Sequence, residues 1–247
     1  MKKIILILLF GLNIFASDIS IAVAANVSYA IDELKKEFNK EYPDINVRVT
    51  LGGSGKLTAQ IKYGAPYQLF MSANMRYPQA LYDDGIAITK PVVYAQGELA
   101  YFSIKKYDFN KGMNLLLDEK ISKIAVANPK TAPYGKASVE AMKNSGIYNS
   151  ISKKFIYGES ISQTLSYPIT AADIGFIAKS SLYSPKMAIY KKGINWREVD
   201  SKLYIPINQG IVILKSSKNL DDVKVFYNFM LGTKAKDILK KFGYLVP

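Results

Sequence analysis

From residue 18 onward, short apolar runs alternate with longer segments in which apolar residues return every three or four positions. ISIAVAA (19–25), INVRVTL (45–51) and YQLFMSAN (67–74) have the length and β-branched content of buried strands. Between them, VSYAIDELKKEFNKEYP (27–43) places Ile31, Leu34 and Phe38 on one helical face, and Pro43 stops it. KLTAQIKYG (56–64) and YPQALYDDG (77–85) read as short helices with a glycine just past each end. Strand and helix in strict alternation imply a largely parallel sheet covered on both faces.

The rhythm then changes. VVYAQGELAYFSI (92–104) is a long extended stretch interrupted at Gly97, and KLYIPINQGIVIL (202–214) is a second one. Between them KIAVANP (123–129), the helix KASVEAMKNSG (136–146), KKFIYGES (153–160), ISQTLSYPITA (161–171) and ADIGFIAKS (172–180) make a second α/β unit, and 220–244 reads as two closing helices. If both long stretches cross between lobes, the chain leaves lobe one, builds lobe two and returns. The expected division is 17–95 and 207–247 for the first lobe and 96–206 for the second. The hinge falls near Gln96–Gly97 and Tyr204–Pro206, and a ligand cleft lies between facing strand ends.

Composition narrows the chemistry. Hydrophobic residues make up 49% of the 247, enough for a real core. There is no cysteine and no histidine. Thiolate nucleophiles, disulfides, zinc sites and histidine bases are thereby excluded, and with them most hydrolytic triads. The net charge is +13, yet only Arg48, Arg76 and Arg197 are arginines, and the lysines lie scattered among acids. That is a solvated basic surface, not the arginine-rich face of a nucleic-acid binder. At the N-terminus, Lys2 and Lys3 precede the apolar run 4–15, with small residues at Ala16 and Ser17. These are the parts of a signal peptide over residues 1–16, with cleavage near Ala16 and a periplasmic mature chain.

The candidate chemistry sits at the strand-to-helix junctions. GGSGKL is not a phosphate loop, because Leu57 follows Lys56 where a serine or threonine is needed. Its glycines instead permit close backbone approach, and Ser54 opens a helix whose first N–H groups are free. Three other junctions repeat the device: AANVSYA with Asn26 and Ser28, NPKTAPYGKAS with Tyr134, and GESISQT with Ser160 and Ile161. Each alone is an ordinary cap. Aimed at one cleft, four such termini would surround an oxyanion with N–H and O–H donors and no cationic side chain.

The segments SIAVAANVSYAIDEL, GGSGKLTAQIKYGAPYQLFMSAN, ANPKTAPYGKASVEAM, DIGFI and FYNFMLGTKAKDILKKFGY together resemble the periplasmic molybdate-binding proteins that feed ABC transporters. The run Q-I-x-x-G-A-P-x-x-L-F-x-S-A, residues 60–73, is the most specific of them. The resemblance implies a two-lobed type II periplasmic binding protein fold, each lobe a mixed, mostly parallel α/β sheet flanked by helices. It implies molybdate or tungstate as ligand, no cofactor, no catalysis, a monomer, and a membrane permease with its ATPase as partner. Carried over by position, the ligand contacts fall on Asn26, Ser54 and the backbone N–H groups of Tyr134 and Ile161. Two positions depart from the pattern. A serine is replaced by Asn26, whose amide also donates, and a tyrosine hydroxyl is replaced by Ala178, which has none to give. A neighbour such as Ser28, Tyr134 or Ser160 is placed to compensate, and Gly53 is a further candidate contact.

Three rival readings have their own signatures. A binding protein for sulfate or phosphate would share the architecture. A secreted Ser-Lys hydrolase would use Ser150 and Lys153 of SISK, a short match in a lysine-rich linker. An adhesin for anionic surfaces or nucleic acid would follow from the charge and lose affinity steeply with salt.

Overall fold

The computed structural model describes residues 17–217 and 219–247, so the expected signal peptide lies outside the described residues. Among the described residues, ten strands form two five-stranded mixed sheets. The first contains β1 (Ser17–Ala24), β2 (Ile45–Gly52), β3 (Leu69–Met71), β4 (Val92–Gly97) and β10 (Ile207–Ile213), in the order β2-β1-β3-β10-β4. The second contains β5 (Leu99–Phe102), β6 (Ile124–Ala127), β7 (Phe155–Gly158), β8 (Ile174–Ala178) and β9 (Trp196–Glu198), in the order β7-β6-β8-β5-β9. In the first sheet β1 pairs parallel with β2 and β3, while β10 runs antiparallel to β3 and β4. The second sheet repeats this scheme, with β6 parallel to β7 and β8, and β5 antiparallel to β8 and β9.

The helices are α1 (Ile31–Glu41), α2 (Ser54–Lys62), α3 (Arg76–Asp83), α4 (Pro133–Asn144), α5 (Tyr148–Ile151), α6 (Ile161–Thr170), α7 (Leu220–Leu231) and α8 (Thr233–Lys241). β1 explains the layering. Its side chains alternate between two faces, and both are covered. Ile19, Ile21 and Val23 join a core with Ile31, Leu34 and Phe38 of α1 and Phe226 of α7. Ala22 joins the opposite core with Leu57 and Ile61 of α2. Phe38 is fully buried and meets Phe226 edge-on, ring centroids 5.0 Å apart. Burying such a ring contributes about 1.5–3 kcal/mol.

Three boundaries differ from the sequence expectation, each for a local reason. Residues Ala25–Tyr29 form a 3-10 turn ahead of α1, which therefore starts at Ile31. α2 begins at Ser54 and α4 at Pro133, both earlier than the amphipathic pattern suggests, because residues of each first turn line the cavity and stand outside the apolar stripe. Each long extended stretch serves both lobes. The chain passes between sheets at Glu98, and Gln96 and Gly97, grouped with the second lobe from the sequence, pair with Asn208 and Ile207 in the first sheet. The return runs from Glu198 to Ile207 through a 3-10 turn at Ser201–Leu203. The two crossings are tied where Leu99 N donates to Tyr204 OH at 3.1 Å. Among the described residues, no helix is long and apolar enough to cross a membrane.

Candidate functional site

The lobes meet along a seam of neutral hydrogen bonds with an ion pair at its rim. Gly55 N donates to Thr131 O at 2.9 Å, Ser162 Oγ to Ala25 O at 2.7 Å, and Ser180 Oγ to Asn26 O at 3.1 Å. Glycine is required at two points of this seam. A Cβ on Gly53 would lie 2.8 Å from Glu159 O, and one on Gly55 would lie 2.9 Å from Thr131 O. At the rim, Lys56 and Glu159 pair at 3.1 Å with both side chains mostly exposed, an arrangement that contributes little to stability.

Beneath the seam is a small cavity walled by Ala24, Ala25, Asn26, Gly52, Gly53, Ser54, Ala73, Ala132, Pro133, Tyr134 and Ile161. All four junctions thus reach one space. It measures about 10 Å³, the space of roughly one water molecule. No wall residue is charged. A larger cleft of about 670 Å³ lies on the second lobe, lined by both signs of charge from Lys192, Arg197, Glu198 and Asp200, and none of the junctions reaches it.

Each wall residue is set by its element. Ser54 is the first residue of α2 and 1% exposed. Its Oγ accepts from Ala73 N at 3.0 Å, which leaves the hydroxyl proton to be donated elsewhere. Tyr134 and Ile161 stand in the first turns of α4 and α6, where backbone N–H groups have no partner inside the helix. The dipoles of these two helices and of α2 add partial positive charge at the cavity. Asn26 lies in the 3-10 turn after β1, 1% exposed. Its Nδ2 donates to Gln209 Oε1 at 2.9 Å and to Tyr244 OH at 3.1 Å, and among the described residues its Oδ1 has no partner. The single titratable wall group is Tyr134, and burial lifts its phenol well above the ordinary value.

The remaining candidates fall elsewhere. Gly53 is in the wall. Ser28 faces Ser162 across the seam, their oxygens 3.4 Å apart, outside the wall. Ser160 is the N-cap of α6, its Oγ accepting from Gln163 N at 3.3 Å, and it does not line the cavity. Ala178 ends β8 inside the second lobe's core and is not a wall residue. Three buried groups around Asn26 were not singled out from the sequence: Gln209, Tyr244 and Ser180. The one sequence signal for them is a glutamine in INQGIVI, a strand whose other polar side chain, Asn208, is exposed.

Comparison with known proteins fits this geometry. The model of the bacterial extracellular solute-binding protein family matches residues 19–245. The chain belongs to that family. Within it, the chain is similar to the molybdate-binding protein ModA of Rhodobacter capsulatus, 33% identical over 93% of this chain and 89% of that one. It is also similar to ModA of Azotobacter vinelandii, 31% identical over 93% of this chain and 90% of the other. The structure superimposes on the Azotobacter vinelandii periplasmic molybdate-binding protein with a TM-score of 0.86, at 30% identity, covering 93% of this chain and 99% of that one. The two-lobed type II architecture expected of the family is therefore present here.

Proposed function

We propose that this solute-binding protein captures molybdate, and tungstate with it, in the periplasm and hands it to a membrane permease driven by an ATPase. The observation that carries this reading is the convergence of four strand-to-helix junctions on one small cavity with no charged wall residue. Asn26 and Ser54 on the first lobe and the N–H groups of Tyr134 and Ile161 on the second are its proposed ligands. The named relatives support the choice of cargo. So does the chemistry: molybdate is a bare dianion whose oxygens only accept, and hydrogen phosphate would ask for a carboxylate that the wall lacks. Sulfate is refused by size, since donors set for the larger tetrahedron leave it with stretched bonds.

The protein performs no reaction on its cargo and works as a monomer, its lobes closing about the two crossings near Glu98 and Tyr204. Calorimetric titration with molybdate in millimolar sulfate and phosphate tests the reading. Several charge-assisted bonds at roughly 1.5–3 kcal/mol each, less ordering and desolvation, predict a Kd in the micromolar to nanomolar range. No molybdate heat, with sulfate or phosphate binding instead, would replace the reading with its rival.

A further inference from the structure

An oxyanion cage of donors has one atom out of place, the carbonyl oxygen Oδ1 of Asn26. It is buried and unpartnered among the described residues, while Nδ2 is engaged with Gln209 and Tyr244. A dianion repels a carbonyl oxygen and attracts an N–H. The two ends of a primary amide have nearly the same shape, so a half turn exchanges acceptor for donor.

Asn26 cannot make that turn alone. Its oxygen would then face Gln209 Oε1, two acceptors at a contact now 2.9 Å long. Gln209 is fully buried on β10, just beyond the second crossing. Its Oε1 accepts from Asn26 Nδ2 and from Tyr94 OH at 2.8 Å, and its Nε2 donates to Tyr134 OH at 3.2 Å. If both amides turn, Nε2 donates to Asn26 Oδ1 and to Tyr94 OH, and Oε1 accepts from Tyr134 OH. Gln209 keeps three hydrogen bonds either way. Tyr244 OH, which donates to Asn26 O at 2.8 Å, redirects its proton to Oδ1, and Asn26 O retains the bond from Ser180 Oγ. Two protein bonds are given up, the Tyr94 OH proton losing its Gln209 acceptor and Tyr244 OH leaving Asn26 O, against the donor gained toward the dianion in the cavity.

We propose that Gln209 is the positioning residue of the oxyanion site: its amide turns in concert with that of Asn26, so that Nδ2 of Asn26 meets the bound dianion. The proposal rests on the cavity being the oxyanion site. It also couples ligand recognition to closure, because the third partner of Gln209, the Tyr134 hydroxyl, comes from the opposite lobe.

The test is a double-mutant cycle read by molybdate calorimetry on wild type, Gln209→Met, Asn26→Ser and the double variant. A serine hydroxyl rotates its own proton toward the guest and needs no orienting amide. Gln209→Met is expected to weaken binding about ten-fold or more in wild type and less than about two-fold in Asn26→Ser. Equal losses in both backgrounds would show that Gln209 only supports folding or closure, and no loss in wild type would show that it does nothing; either result overturns the proposal. Should Gln209→Met fail to fold, Gln209→Leu removes the amide without adding a charge and carries the same comparison, the larger loss again expected with Asn26 present. Failure of the underlying site reads differently: Ser54→Ala and Asn26→Ala would then bind molybdate as wild type does.

Discussion

Ser54→Ala separates the proposed ligand contact from a structural one, because both fall on the same hydroxyl. Its oxygen is the acceptor for Ala73 N at 3.0 Å, and Ala73 is 3% exposed. Without it a buried N–H is left unpaired, at a cost of about 1–3 kcal/mol. In a chain of this size each kcal/mol lowers Tm by about 2–4 °C, so the melting temperature of the ligand-free variant should fall by a few degrees. The hydroxyl proton has no acceptor among the described residues, and it is the proposed donor to the guest. Losing one charge-assisted bond of about 1.5–3 kcal/mol raises the molybdate Kd about 10- to 150-fold. Thermal unfolding without molybdate and calorimetry with it measure the two terms independently. A variant that melts lower but binds molybdate with unchanged affinity would refute the assignment of Ser54 as a ligand while keeping its structural role.

Gly97→Ala should weaken molybdate binding about 5- to 150-fold by overpacking, since its Cβ would sit 1.9 Å from Tyr134 OH and force the lobes apart at the hinge. Small-angle scattering of the loaded variant would then give a larger radius of gyration than loaded wild type, and equal radii would contradict this. Molybdate affinity should vary less than about two-fold between pH 6 and 9. Burial raises Tyr134 and Tyr94 well above the ordinary phenol value and Tyr244 to about 12, so all three stay neutral there, and a titration midpoint inside that window would refute an uncharged cage. Asp173→Asn should cost about 1–2 kcal/mol at pH 7 after allowance for solvent screening, as urea melts would measure. Burial pushes this carboxyl up, but hydrogen bonds from Lys105 Nζ, Ser122 N and Oγ and Lys123 N outweigh it and hold the value at about 2 against an ordinary 3.8. A depressed folded value stabilises above pH 4 and loses that contribution as pH falls toward 2, so wild type and variant should converge there.

The layered framework was legible because apolar periodicity is local. Ile31, Leu34 and Phe38 share a face for the same reason in the sequence as in the fold. The junctions were legible too, since small residues at a strand end followed by a helix start are a local pattern, and four of them fixed where the cavity wall would be sought. What escaped is non-local or masked by a second role. Gln209 and Tyr244 reach Asn26 across 183 and 218 residues of separation, and nothing near either marks the contact. Ser28 and Ser160 carry the right chemistry at the right junctions, yet one is spent on the seam with Ser162 and the other on capping α6. Composition cannot distinguish a hydroxyl facing the cavity from one used a turn away.

The division of the proposed ligands between lobes gives a reason why a cage of neutral donors suits a transport protein better than a cationic clamp. Asn26 and Ser54 belong to the first sheet's lobe, and Tyr134 and Ile161 to the second. An arginine or lysine on one lobe would keep its grip on a dianion in the open state through a long-range charge. Here every contribution is short-range. Parting the lobes by a few ångströms strips two donors from the guest, about 3–6 kcal/mol, or a loss of affinity of about 10² to 10⁴. The seam that resists parting consists of neutral hydrogen bonds and one exposed ion pair, each individually weak. A permease that bound the two lobes in a slightly opened geometry would therefore lower affinity for the cargo without touching it, and release would follow from the same hinge that achieves capture.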